Sequence, residues 1–90
     1  MRVTIPGEVV FRDLAGEAVL LHLGTGTYFG LDAVGTRVWH CLAEHRSTEA
    51  IVPSLLQEFD VEERQLRMDL DALLAQLIGR QLLIAENDAK

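Results

Sequence analysis

Residues 16–31 read Gly-Glu-Ala-Val-Leu-Leu-His-Leu-Gly-Thr-Gly-Thr-Tyr-Phe-Gly-Leu. This is the pattern of a β-hairpin: an apolar run, a permissive Gly24-Thr25-Gly26 turn, and a second run that is aromatic and nearly uncharged. In the first run Val19, Leu21 and Leu23 share a face with Glu17, while Leu20 on the other face makes the alternation imperfect. In the second, Thr27, Phe29 and Leu31 share one face, and Tyr28 and Gly30 the other. Such a strand at a sheet edge offers unpaired N–H and C=O groups to another chain. The stretch points to a peptide-binding module before it points to an enzyme.

Towards the N-terminus, Val9-Val10-Phe11-Arg12 reads as a further strand and residues 13–16 as its turn. The strands are therefore expected over 8–12, 17–23 and 26–31. Towards the C-terminus, period two gives way to helical period at Asp32, whose carboxylate suits an N-cap. Val34, Val38, Cys41 and Leu42 follow helical spacing over 33–45, with Trp39 widening the apolar face. Ser47 is the next N-cap candidate. Ile51, Leu55 and Phe59 recur every fourth residue over 48–59, where Pro53 predicts a bend or an irregular first turn.

A third helix is expected over 61–80, opened by Asp60 and Glu63 in a pairing that resembles a capping box. Leu66, Leu70, Leu73 and Leu77 form its apolar stripe, with Arg64, Arg67 and Asp71 on the wet side. Residues 82–84 read as a short tail or strand, and residues 86–90 as a frayed end. Strands followed by helices make the fold class α+β, a three-stranded antiparallel sheet followed by three helices in a single domain over residues 1–90.

Composition narrows the function. Eight Lys and Arg against fourteen Asp and Glu leave a net charge of −6. Nucleic-acid affinity depends on neutralising phosphates, so nucleic acid is a poor partner for this chain. No apolar run approaches the roughly 20 residues of a membrane span. Residues 1–6 show no signal-peptide pattern, and a single cysteine forms no internal disulfide. The compartment these features suggest is the cytoplasm.

Candidate chemistry is sparse. Cys41 has His40 beside it, but neighbouring helical residues point about 100° apart, and Cys41 lies on the apolar stripe. It reads as a small core residue. His22, His40 and His45 fall on a strand, in a helix and after that helix, without metal-ligand spacing. Gly24-x-Gly26 joins two strands and lacks the third glycine of a dinucleotide fingerprint. Ser54, behind Pro53, lacks the Asp-Ser-Leu context of a phosphopantetheine carrier. No catalytic residue, metal or cofactor is expected.

Gly16-Glu17-Ala18-Val19-Leu20-Leu21-x-Leu23-x-Thr25-Gly26-x-Tyr28-Phe29-x-Leu31-x-x-x-Gly35-x-x-Val38-Trp39 resembles the signature of the PqqD family. Asp60-Val61 with Leu66-x-x-Asp69-Leu70-x-x-Leu73-Leu74-x-x-Leu77 resembles that family's third helix, so the likeness covers roughly residues 5–84. The chain departs from the pattern in two places: Asp32 stands where the family usually has Asn, and Gln81 where it has Gly before Leu-Leu. The resemblance implies a RiPP recognition element, a winged helix-turn-helix-like domain that is not itself catalytic. It would bind the leader of a ribosomally made precursor peptide and present it to a modifying enzyme or leader peptidase.

In that family the leader adds as a strand beside the third strand and lies against the third helix. Carried over by position, Thr25, Gly26, Thr27, Tyr28, Phe29 and Gly30 would supply backbone pairing. Leu66, Arg67, Asp69, Leu70, Leu73 and Leu74 would be the helical contacts. A lasso peptide pathway is the first expectation, with pyrroloquinoline quinone and radical-SAM pathways next, and the protein is expected as a monomer or weak dimer. Ordering a flexible leader costs about 1 to 2 kcal/mol per residue, more than strand hydrogen bonds at about 1 kcal/mol each can offset. Apolar anchors worth about 1.5 to 3 kcal/mol each are also needed.

The alternative is a winged helix-turn-helix transcriptional regulator. The element order allows it. Against it, Glu62, Glu63, Asp69 and Asp71 outweigh Arg64, Arg67 and Arg80 along the third helix.

Overall fold

A computed structural model describes residues 1–86. In chain order these form β1 (Arg2–Thr4), β2 (Val9–Leu14), β3 (Glu17–His22), β4 (Tyr28–Gly30), α1 (Ala33–His45), α2 (Thr48–Glu58), α3 (Glu63–Gly79) and β5 (Ile84–Glu86). The class is α+β, as the order of patterns implies. The strands make two antiparallel sheets, β2-β3-β4 and β1-β5.

The three-stranded sheet is the expected one, with shifted bounds. β2 runs two residues further than 8–12, and the turn shrinks to Ala15-Gly16. Both turn residues have positive φ, 56° and 87°, and Leu14 pairs with Glu17. A two-residue hairpin loop of that hand matches the twist of its strands. The third strand is shorter than 26–31, because Thr25, Gly26 and Thr27 lie in the connection.

The second sheet was not legible. Arg2, Val3 and Thr4 pair with Glu86, Ala85 and Ile84, so Glu86 is a strand residue rather than the start of a frayed end. Residues 87–90 lie outside the described residues. Three-residue strands carry too little alternation to be read, and this pair is held by Val3, Leu82 and Leu83, all buried.

The buried face of β3 is the opposite of the expected one. Ala18, Leu20 and His22 point into the core, Val19 and Leu21 are half-covered, and Leu23 is 61% exposed. Helix α1 explains the inversion. Its Thr36 hydroxyl lies 2.7 Å from the Ala18 N–H and accepts from it, an approach that a small side chain at 18 permits. Close approach of backbone and helix outweighs the hydropathy of the alternating residues.

Helix α1 matches its expected range. Asp32 caps it through Oδ1, which accepts from Gly35 N–H at 2.7 Å, and Arg46 ends it with φ of 58°. Trp39, Leu42 and Cys41 are core residues, and burial raises the Cys41 thiol above its ordinary pKa. Val34, expected on the same stripe, is 46% exposed. Helix α2 is continuous through Pro53 and buries Ile51, Val52 and Leu55.

Helix α3 begins later than expected. Its N-cap is Glu62, with no side-chain cap, and Leu66 N–H donates to Glu62 O at 2.9 Å. Asp60 and Glu63 therefore form no capping box: residues 60–62 stay outside the helix, where Val61 N–H donates to Phe59 O at 3.0 Å. The buried stripe is Leu66, Leu70, Leu74 and Leu77, with Leu73 only half-buried. An ideal helix turns 3.6 residues per turn, so positions 73 and 74 straddle the core direction, and packing assigns the core to 74.

Candidate functional site

Strand β4 pairs with β3 on one side and is the last strand of its sheet. Its orientation follows from two bonds. His22 N–H donates to Thr27 O at 2.9 Å, and Leu31 N–H donates to Ala18 O at 2.8 Å. Backbone groups alternate along a strand, so residues 27, 29 and 31 face β3. Tyr28 and Gly30 turn their N–H and C=O outward to the open edge. The Tyr28 side chain is 68% exposed, and a Cβ on Gly30 would meet nothing within 4 Å.

The ladder between β3 and β4 ends where Thr36 intervenes. Its hydroxyl accepts from Ala18 N–H and lies 3.4 Å from Leu31 O, to which it donates. The side chain thus sits between a donor and an acceptor that would otherwise pair, and the strand gives way to α1. Gly35 fits the same corner, since a Cβ there would stand 3.2 Å from both Asp32 Oδ1 and Leu31 Cδ2.

Beside the edge lies a groove of about 460 Å³. Phe29, Gly30 and Leu31 form its sheet side, and Leu66, Asp69, Leu70 and Leu73 of α3 face them. Asp32, Val34, Gly35 and Val38 close one end, and Phe59 and Val61 complete the wall. The lining is mostly apolar, with carboxylates at Asp32 and Asp69. Asp69 Oδ1 accepts from Gln65 Nε2 at 2.9 Å. Arg80, just past α3, places Cζ 5.1 Å from the Phe29 ring centroid in a cation–π contact.

Of the twelve positions expected to contact a guest, Phe29, Gly30, Leu66, Asp69, Leu70 and Leu73 line this groove. Tyr28 belongs to the open edge beside it. Thr25, Gly26 and Thr27 are in the turn that precedes β4, where Thr25 Oγ1 donates to Thr27 Oγ1 at 2.9 Å. Arg67 lies away from the groove and donates Nε–H to Glu63 at 2.8 Å. Leu74 is in the core.

Sequence reasoning missed Leu31, Asp32, Val34, Gly35, Val38, Phe59 and Val61 as groove residues. Leu31 and Val38 read only as strand and helix core positions. The exposure of Val34 has no one-dimensional signal. The histidines lie apart: His22 ends β3, His40 Nε2 is 3.0 Å from Asp13 Oδ1, and His45 Nε2 is 3.6 Å from Glu44 Oε1.

A family model described as coenzyme PQQ synthesis protein D (PqqD) matches residues 17–83. The fold resembles that of a solved structure, TbiB1 in complex with the TbiA(beta) leader peptide. The two are 43% identical, with a TM-score of 0.85, over 93% of this chain and 98% of that one. No curated protein matches the sequence.

Proposed function

We propose, on the premise that this chain belongs to the PqqD family, that it binds the leader of a ribosomally synthesised precursor peptide by strand addition at β4. The observation that carries this reading is the open edge of β4 beside an apolar groove. The guest backbone would bond the outward N–H and C=O groups of Tyr28 and Gly30. Alternate guest side chains would then point into the groove against Leu66, Leu70 and Leu73. Backbone pairing fixes the guest's path, and the apolar pockets supply affinity and selectivity. Similarity to TbiB1, solved with a leader peptide bound, supports the same reading.

In this reading the domain performs no bond chemistry. It orders a flexible segment and presents the remainder of the precursor to a modifying enzyme or leader peptidase in the cytoplasm, with a lasso peptide pathway foremost. The hairpin and the α2–α3 pair are read as a winged helix-turn-helix-like arrangement turned to peptide binding. Nucleic acid is not the partner we propose: α3 carries Glu63, Asp69 and Asp71, and its Arg67 is committed to Glu63.

Calorimetric titration of the protein with a full precursor, its isolated leader and its leaderless core tests the proposal. Full precursor and leader should bind alike and the core should not. Affinity that persists in the leaderless core refutes the proposal.

A further inference from the structure

We propose that His22 is a positioning residue for the β4 edge, acting through Nδ1 as a hydrogen-bond acceptor. His22 ends β3 and is 7% exposed. Its backbone closes the following turn from both sides: its N–H donates to Thr27 O at 2.9 Å and its C=O accepts from Gly26 N–H at 2.7 Å. Its Nδ1 accepts from the N–H of Gly24 at 3.0 Å and of Thr25 at 3.2 Å. One residue thus takes part in four of the bonds that shape the turn into Tyr28. That turn sets where the open edge begins.

An imidazole nitrogen accepts only when it carries no proton, so the geometry assigns the tautomer protonated at Nε2. In the imidazolium both ring nitrogens are donors. Nδ1–H would then face two backbone N–H groups, and the turn would lose both side-chain contacts. Glu8, just before β2, is the ionisable group nearby: a Cβ added on Gly24 would stand 2.5 Å from Glu8 Oε1 and 3.0 Å from His22 Cε1. Across the sheet stands Val9, and the adjoining cleft is lined by Pro6, Ile78, Gln81, Leu83, Ile84 and Ala85. Loss of the acceptor would slacken the three-residue strand that follows.

The inference rests on reading β4 as the guest's edge, and its test is arranged so that the two can fail separately. Amide exchange is measured at a single pH in the free wild type, His22→Asn and His22→Ala. In His22→Ala, protection at Gly24, Thr25, Gly26 and Phe29 should fall about tenfold below wild type, equivalent to about 1.4 kcal/mol. His22→Asn places a carbonyl where Nδ1 stood, able to accept from the same amides, and should keep wild-type protection. Unchanged protection in His22→Ala, or an equal fall in His22→Asn, overturns the proposal.

The same proteins are then titrated with the TbiA(beta) leader peptide. His22→Ala affinity should drop about tenfold, again about 1.4 kcal/mol, and His22→Asn affinity should match wild type. Absence of binding in every protein would count against strand addition at β4, while the exchange data would still decide the role of His22.

Discussion

Proline substitution along β4 separates the two sides of the strand. Tyr28 and Gly30 present their N–H groups to the open edge, and Phe29 faces β3 opposite Leu20. Proline removes the N–H and puts ring carbons in its place. An edge strand tolerates proline where that N–H points to solvent. Gly30→Pro meets no obstruction at Cβ, so the free protein should keep its stability within about 1 kcal/mol.

Bound guest fares differently. It loses one backbone hydrogen bond and is left with a carbonyl facing a proline ring, a loss of about 2 kcal/mol. That corresponds to roughly thirtyfold weaker binding. Tyr28→Pro should act alike, whereas Phe29→Pro should lower the melting temperature by breaking the ladder to β3. Calorimetric titration with the leader, beside thermal melts by circular dichroism, reads both effects. If both edge variants stay folded and bind within twofold of wild type, the guest does not use this edge.

Leu73 and Leu74 divide groove from core. Leu74→Ala should cost about 2 to 4 kcal/mol of stability in urea titration with leader affinity unchanged at temperatures where it is folded, and Leu73→Ala should do the reverse. Thr36→Val leaves the buried Ala18 N–H without its 2.7 Å acceptor, and should cost about 1 to 3 kcal/mol of stability by the same assay. The Glu49 carboxyl is lowered from 4.5 to about 2, chiefly by its hydrogen bond from the N-terminal ammonium. A depressed carboxyl stabilises the fold above its unfolded value and loses that contribution as pH falls through the folded value. Melting temperatures of wild type and Glu49→Gln should therefore converge between about pH 4.5 and about pH 2; a constant difference across that range would refute the pairing.

The periodicities of the chain were enough to locate the hairpin, helix α1 and three of the four buried leucines of α3. Period two and period 3.6 impose different spacings on apolar residues, and residues 16–45 switch between them at Asp32, a side chain suited to capping. Three features were hidden. The β1–β5 pair joins the two ends of the described chain through strands too short to show a pattern. The core face of β3 looks the less apolar of its two faces, because Ala18 is there for helix approach and His22 for turn bonds. Half of the groove wall comes from positions such as Val34, Phe59 and Val61, which local spacing assigns to helix faces or loops.

What the linear order determined alone was the kind and succession of elements, together with an aromatic, uncharged strand suited to pairing. Those properties are local, set by backbone sterics and by how often an apolar side chain recurs. Only tertiary structure decided that β4 ends its sheet, which of its amides face outward, and which leucine of 73 and 74 meets solvent. Each of those depends on where a distant segment packs, and hydropathy along a chain carries no record of that distance.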